Sequence, residues 1–270
     1  MRRFRIALLL LAAVIIGAFA LRGMRGQVTI LMYHHLVPDG GETNSLTVTE
    51  GKFRRDMEYL REHGYQTLLP DELNEILRGT QKCPKKAVVI SFDDGYQSNY
   101  SIAYPILKEN ELRAVIALIT ANIREEKEEN AFMLCWPEVR EMSDSGLVSF
   151  GSHSHNLHNP DIGGAVRKGP DAVNGVQRLP DEKQVQYAER VGMDIAHSCT
   201  MIEQYTGVPV HWFAYPYGAG DRWCEKLLDA MDVTVSVSTQ PGVARVGHGV
   251  RDLPRYGIRE DTDLSDILPS

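Results

Sequence analysis

The chain has 270 residues, 43% of them hydrophobic, which is enough to bury one large α/β core within a single domain. The formal net charge is −7, and beyond the N-terminus the basic residues are dispersed rather than gathered into a stripe. These features exclude a nucleic-acid backbone as the expected partner.

The N-terminal segment differs in composition from the rest of the chain. Three arginines among the first five residues precede an apolar run over residues 6–21, and residues 18–20 (AFA) offer a small-x-small cleavage site. The run is shorter than the roughly 20 apolar residues of a spanning helix, but basic residues just beyond it disfavour cleavage. We therefore predict a signal peptide or an N-terminal membrane anchor over residues 1–26, followed by one domain over 27–270 that works outside the cytoplasm.

After this segment, short apolar runs alternate with helical patterns. Thr49 and Pro70 mark helix starts, and Gly64 and Gly146 mark helix ends. We predict strands at 28–33, 65–69, 87–92, 114–120, 147–152, 210–215 and 233–237, and helices from Thr49 to Gly64 and at 70–77, 99–110, 137–146, 181–205 and 221–231. About seven strand-then-helix units indicate an α/β fold whose parallel sheet suits a barrel or near-barrel better than an open sheet.

One stretch breaks this alternation. Residues 159–180 are rich in Gly, Pro, Asn and Asp and lack helical periodicity, which is typical of an exposed loop. In a barrel this loop would lie at the rim that carries the functional residues, where we predict that it shapes a substrate groove.

Potential metal ligands follow two of the predicted strands. Asp93 and Asp94 come directly after the strand at 87–92, and the sequence GSHSHNLH at 151–158 places His153 and His158 after a second strand. Because the carboxyl ends of parallel strands meet on one face of a barrel, two imidazoles and one carboxylate can converge there on an ion with an open position. Adjacent side chains diverge, so Asp94 would bind the ion and Asp93 would act as general base on a water bound there.

These residues also have simpler interpretations. An Asp-Asp-Gly sequence after a strand is, by itself, more often a turn or a helix cap than a functional site. The three histidines could be surface residues of a polar loop, but their coincidence with a second strand end and with Asp93 and Asp94 favours a metal site. His155 is predicted to face away from that site.

The four cysteines do not indicate a metal site. No Cys-x-x-Cys pair is present, so a thiolate zinc site is disfavoured. Export would permit disulfides, but four cysteines allow three full pairings, and we leave them unpaired by default.

Three motifs together resemble the NodB-type polysaccharide deacetylases, carbohydrate esterase family 4. They are ISFDDGY at 90–96, GSHS at 151–154 with His158, and FAYPYG at 213–218. LMYHH at 31–35 and LPR at 253–255 also resemble the branch that includes the poly-β-1,6-N-acetylglucosamine deacetylases. The similarity spans about residues 28 to 258.

The resemblance implies a distorted (β/α) barrel of about seven parallel strands that removes acetyl groups from N-acetylated sugars. Asp93 matches the general base of the family, and Tyr215 and Tyr217 match residues at the substrate, with the Tyr217 backbone N–H helping to hold the oxyanion. The resemblance further implies one divalent metal ion, commonly zinc, on the residues matching Asp94, His153 and His158.

The sequence departs from the family pattern at two places. Ala214 stands where the third motif usually carries an arginine that supports the base, and Arg255 is the candidate substitute. The usual C-terminal Leu-x-His, the source of the acid that protonates the leaving amine, is absent. A histidine of the Tyr-His motif can serve in the related branch, which indicates His34. A purely structural explanation accounts for His34 and His35 equally well: one of them would be buried and the other exposed at the end of the strand.

We therefore expect a monomeric hydrolase, secreted or anchored facing the cell wall, that touches the membrane only through its N-terminal segment. Its partner would be an N-acetylated polysaccharide, with peptidoglycan and poly-N-acetylglucosamine both open. A non-catalytic carbohydrate-binding protein is the alternative that the missing arginine and the missing C-terminal histidine leave open, although the intact Asp93 argues against it. An O-acetyl esterase acting on xylan or a similar polymer would share all of this machinery.

Overall fold

The computed structural model describes residues 26–158 and 175–269. The predicted signal peptide or anchor and most of the predicted loop at 159–180 lie outside the described residues. Within the described ranges, the structure has no helix with the length and apolar character needed to cross a membrane.

The core of the fold is a curled, mostly parallel sheet in the order β10-β1-β5-β6-β7-β8-β9, with β11 added to β1 and β4 added to β5. All neighbouring strands are parallel except β10, which runs antiparallel to β1. The sheet forms a half-barrel, which confirms the predicted (β/α) barrel class. Its strands are β1 (Gln27–Tyr33), β4 (Gln66–Thr67), β5 (Ala87–Phe92), β6 (Ala114–Leu118), β7 (Val148–Ser152), β8 (Trp212–Ala214), β9 (Val235–Val237), β10 (Val243–Arg245) and β11 (Tyr256–Gly257).

The helices lie between the strands, as the alternating sequence pattern predicts. Thr49 caps the first helix by accepting a hydrogen bond from the Lys52 N–H at 3.1 Å, and Asp221 caps a later one in the same way. The helices are α1 (Glu50–Glu62), α2 (Pro70–Leu77), α3 (Tyr104–Asn110), α4 (Trp136–Asp144), α5 (Gln184–Tyr187), α6 (Met193–Thr206), α7 (Arg222–Ala230) and α8 (Leu264–Ile267).

Alternate residues of β5 face the two sides of the sheet, and this alternation positions the site. Val88, Ile90 and Phe92 pack into the core that contains α1 and α3, whereas Ala87 and Val89 belong to a second core on the inner side of the half-barrel. Because side chains in a strand alternate with a period of two, Ser91 and Asp93 continue the inner row. The fully buried Arg255 hydrogen-bonds both of them there.

The structure corrects several predicted elements. The strand at 65–69 is only two residues long, and the helices at 99–110 and 181–205 contain π-helical turns over Asn99–Ala103 and Ala188–Gly192. Short elements were missed altogether, because two- and three-residue strands leave no periodic signal. The missed elements are β10, β11, α8 and a separate two-stranded parallel sheet of β2 (His35–Val37) and β3 (Thr47–Thr49).

The C-terminal segment closes around the start of the sheet. β11 pairs with β1, and Glu260 accepts hydrogen bonds from the Thr49 N–H at 2.8 Å and the Thr49 hydroxyl at 2.9 Å. The Tyr65 hydroxyl donates to the Pro269 carbonyl. The four cysteines, whose pairing the sequence leaves open, all lie in the described ranges and are free.

Candidate metal centre

The turn after β5 sends two adjacent carboxylates in different directions. Asp94 and Gly95 both adopt left-handed backbone angles, with φ of 74° and 83°. A side chain at Gly95 would also be too close to its neighbours, because an added Cβ would lie 2.8 Å from the Leu118 side chain. This turn leaves Asp93 on the inner face of the half-barrel and directs Asp94 to the histidines.

The loop after β7 carries both histidines and is held from several sides. The Asp194 carboxylate of α6 accepts hydrogen bonds from the backbone N–H groups of His155 at 2.7 Å and Asn156 at 2.9 Å. The Ser154 hydroxyl accepts another from the Leu157 N–H at 3.1 Å. These contacts orient a loop that would otherwise have unpaired backbone donors.

Asp94, His153 and His158 come together as a group whose donor atoms all lie within 4.8 Å of one another. Asp94 Oδ1 is 3.5 Å from His153 Nε2 and 4.0 Å from His158 Nε2. This Asp94 oxygen is buried and has no hydrogen-bond partner within the described chain. An unpaired buried carboxylate oxygen is costly by itself and is the atom expected to bind a cation.

The histidines present the ring nitrogen that a metal requires. His153 Nδ1 donates to the Ala214 carbonyl at 2.7 Å, so Nε2 faces the group with a free lone pair. Burial lowers the pKa of His158 to about 4, and the neighbouring His153 acts in the same direction. Two neutral imidazoles and one carboxylate fit a divalent cation with an open coordination position.

Asp93 forms a buried, forked ion pair with Arg255. Arg255 Nη1 donates to Asp93 Oδ1 at 2.8 Å, Nη2 donates to Oδ2 at 2.6 Å, and Nε donates to the Ser238 carbonyl at 2.8 Å. Burial by itself raises the pKa of the Asp93 carboxyl, but the charge and hydrogen bonds of Arg255 outweigh it and hold the pKa well below its ordinary value. The Asp93 carboxylate is therefore ionised at neutral pH.

A cavity of about 630 Å³ joins the ion pair to the metal-binding group, and His34 lines it together with Asp93, Asp94, His153 and His158. The His34 ring has no hydrogen-bond partner in the part of the chain that the structure describes. Burial lowers the pKa of His34, although the charges of Asp93 and Asp94 act in the opposite direction. His34 is thus a titratable group that is free to face a ligand in the cavity.

The two tyrosines of the third motif have different surroundings. Tyr217 has a left-handed φ of 58°, its ring lies 4.2 Å from that of His158 between centroids, and its hydroxyl donates to the His158 carbonyl at 2.8 Å. It is 41% exposed at the mouth of the cavity. Tyr215 also lines the cavity, but its side chain is buried and its hydroxyl donates to the Ser236 hydroxyl at 3.0 Å. Tyr215 therefore supports the strand end, and its hydroxyl is engaged inside the fold.

Several neighbouring residues stay outside the metal-binding group. His155 Nδ1 bonds the Thr120 hydroxyl at 3.0 Å and its ring packs against His197, in agreement with the prediction that it faces away. His35 Nδ1 bonds the Ser98 hydroxyl at 2.9 Å. Sequence reasoning missed the roles of Asp194 and of the Ala214 carbonyl, because an acidic residue on a helix and a backbone oxygen carry no motif.

Comparison with known proteins is consistent with this geometry. The profile of the family described as polysaccharide deacetylase matches residues 80–236. The poly-β-1,6-N-acetyl-D-glucosamine N-deacetylase of Escherichia coli K12 is 26% identical over 253 residues, covering 88% of this chain and 37% of that protein. The Bacillus subtilis protein YxkH is 30% identical over 235 residues, covering 86% of this chain and 71% of that protein.

A solved structure is similar over most of the chain as well. The de-N-acetylase of Aggregatibacter actinomycetemcomitans superimposes with a TM-score of 0.75 at 25% identity, covering 90% of this chain and 98% of that one. The chain thus spans nearly all of that solved domain but only 37% of the length of the E. coli relative.

Proposed function

The chain belongs to the polysaccharide deacetylase family, and from this we propose that it is a metal-dependent hydrolase that removes N-acetyl groups from a polymer containing N-acetylglucosamine. The observation that carries the proposal is the convergence of Asp94, His153 and His158 beside the ion-paired Asp93 in one cavity. Relatives named as poly-β-1,6-N-acetyl-D-glucosamine N-deacetylases make that polymer the first candidate substrate, with peptidoglycan as the second.

The proposed reaction adds water across an amide bond. A divalent cation on Asp94, His153 and His158, for which zinc is our proposal, would polarise a carbonyl oxygen and lower the pKa of a water molecule. Asp93 removes a proton from the attacking water molecule while the oxygen of that water bonds to the acetyl carbon. The Tyr217 backbone N–H donates a hydrogen bond to the oxyanion that develops on the acetyl oxygen. When the C–N bond breaks, the nitrogen takes up a proton, and acetate and a free amine are released.

The test is acetate release from β-1,6-linked oligomers of N-acetylglucosamine. We expect the zinc-loaded protein to release acetate, removal of the metal by a chelator to abolish release, and added zinc to restore it, because the cation would polarise the acetyl oxygen and lower the pKa of the attacking water. Metal content is measured in the same samples. Release that persists after the metal has been removed would contradict the proposal.

Two alternative functions give different results in this assay. A carbohydrate-binding protein without activity would bind the oligomers and release no acetate from any polymer. An esterase would release acetate from O-acetylated xylan and leave the N-acetylated oligomers intact. A deacetylase makes the product more positive, since the freed amines are protonated near neutral pH.

We propose His34 as the acid that protonates the departing nitrogen. Its ring shares the cavity with Asp93 and Asp94 and, among the described residues, is not engaged by another group. Burial lowers the pKa of His34 overall, and the charges of Asp93 and Asp94 oppose this shift and favour the protonated form. An amine is a poor leaving group unless it is protonated, so this role is needed for amides in particular.

The His34→Gln variant should separate this role from binding. We expect acetate release from the oligomers to fall by about a hundredfold, since one general acid is lost. Hydrolysis of 4-nitrophenyl acetate should change little, because nitrophenolate leaves without a proton. His211→Gln is the matched control, since His211 is paired with Asp71 outside this cavity. Equal losses on the amide and the ester would refute the assignment.

The location of the protein is also a proposal. The arginines and the apolar run of the N-terminal segment support export or anchoring, so that the enzyme, as a monomer, would act on an extracytoplasmic polymer facing the cell wall. The membrane would be contacted only through that segment.

A further inference from the structure

Three rings form a cluster next to the turn that carries Asp94. The ring centroids of His35 and Tyr96 are 4.9 Å apart, those of His35 and Phe132 are 5.2 Å apart, and those of Tyr96 and Phe132 are 5.1 Å apart. Phe132 is 62% exposed although it packs on the other two rings. A large apolar ring that is held in place yet left in solvent is more typical of a binding surface than of a core.

The position of Phe132 is fixed relative to the metal-binding turn. The Gln97 N–H donates to the Phe132 carbonyl at 2.9 Å, and the Leu134 N–H donates to the Gly95 carbonyl at 3.0 Å. Tyr96 and Met133 are paired as an antiparallel bridge between these two bonds. The segment that carries Phe132 is therefore hydrogen-bonded directly to the residues that follow Asp94.

Tyr96 connects this cluster with the site. Tyr96 lies two residues after Asp94 in the same turn, and its backbone pairs with Met133, the residue next to Phe132. His35 is held from behind by Ser98, whose hydroxyl lies 2.9 Å from His35 Nδ1. The exposed Phe132 ring thus packs on the Tyr96 ring, which belongs to the turn that carries Asp94.

We propose that Phe132, supported by Tyr96 and His35, is a stacking platform for a sugar residue next to the one that is deacetylated. The inference rests on the proposed function and adds a subsite to it. The apolar face of a pyranose ring covers an aromatic ring while its hydroxyls stay in water, and this suits a ring that is exposed on one side. The platform would make the enzyme prefer polymer over monomer.

The negative charge of a neighbouring segment disfavours a lipid membrane as the partner of Phe132. Residues 124–129 contain four glutamates against Arg124 and Lys127. An exposed apolar ring can also insert into a lipid surface, but a net negative segment next to it repels the anionic lipids that usually assist such binding. A polysaccharide, neutral before the reaction and cationic after it, meets no such repulsion.

Binding measurements in an Asp93→Asn background test the platform without turnover. With zinc present, we expect Phe132→Ala to weaken binding of a β-1,6-linked N-acetylglucosamine hexamer by about tenfold, and to leave binding of the monomer unchanged. Phe132→Tyr should retain the affinity, whereas Phe132→Leu, which is apolar but not flat, should lose most of it. Val208→Ala, at an exposed apolar residue outside the cavity, is the matched control.

The outcomes separate this inference from the proposed function. If the wild type releases no acetate but the hexamer binds and depends on Phe132, the proposed activity fails and the platform stands. If Phe132→Ala binds hexamer and monomer as its parent does, or if no oligomer binds at all, the platform is wrong. Binding to anionic phosphatidylglycerol vesicles that depends on Phe132, without an effect on the hexamer, would likewise overturn it.

Discussion

Asp93→Asn is expected to lower the kcat for acetate release by about a thousandfold. This is the largest effect on activity that we predict for a single substitution. Asparagine has the size of aspartate but cannot take a proton from water near neutral pH. Its side-chain oxygen can still accept one hydrogen bond from Arg255, so the cavity should keep its shape.

Metal content and circular dichroism are measured on the same Asp93→Asn sample, to show that the site is loaded and the protein is folded. Asp221→Asn serves as the control, because asparagine is also an effective helix cap and Asp221 caps α7. If Asp93→Asn keeps activity within about tenfold of the wild type while the metal is bound, Asp93 is not the base.

Replacing Arg255 is expected to damage both stability and activity. Arg255→Met leaves the buried Asp93 carboxylate without its partner, which should reduce the free energy of unfolding by about 3–5 kcal/mol at neutral pH. The pKa of Asp93 should then rise, because burial is no longer opposed, and the rate near neutral pH should fall with the ionised fraction. Arg255→Lys keeps the charge but loses the fork, so an intermediate result is expected.

The pH dependence of this effect has a definite sign. In the wild type the folded pKa of Asp93 is depressed, so the ion pair stabilises the protein above the unfolded pKa of about 3.9, and this contribution is lost as the pH falls below it. In Arg255→Met the folded pKa is raised, so the destabilisation should be largest at neutral pH and should shrink as the solution is acidified.

Denaturant unfolding at several pH values measures this dependence, and the double variant Asp93→Asn with Arg255→Met completes a mutant cycle. Removing both charges should recover part of the lost stability. Losses that are additive and independent of pH would contradict the coupling.

Much of the fold could be predicted because its longer elements have clear periodic patterns. Helix α2 begins and ends at the predicted residues, since Pro70 opens it and its apolar residues recur at helical spacing. The convergence of Asp94 with His153 and His158 followed from a rule of topology, as parallel strands bring their carboxyl ends to one face. The roles we assign to these residues stay proposals.

Other features could not be predicted from the residues alone. The pairing of Asp93 with Arg255 joins positions 162 residues apart, and a lone arginine after a proline gives no local indication of its partner. Only the resemblance to the family suggested that Arg255 supports Asp93, and the spacing of residues gave no indication of it. Asp194 was missed because its carboxylate accepts hydrogen bonds from two backbone N–H groups. Such groups are present in almost every residue and leave no pattern in the sequence.

The C-terminal segment that closes around β1 has a consequence for how the protein becomes active. Arg255, which neutralises Asp93, lies 162 residues after it, in the same segment that supplies β11 and Glu260. Until it docks, the inner face of the half-barrel holds a carboxylate without a counterion, which favours a protonated and inactive side chain. Hydrolytic competence should therefore arise only when this segment has folded onto β1, so that docking of a distant part of the chain switches the base on.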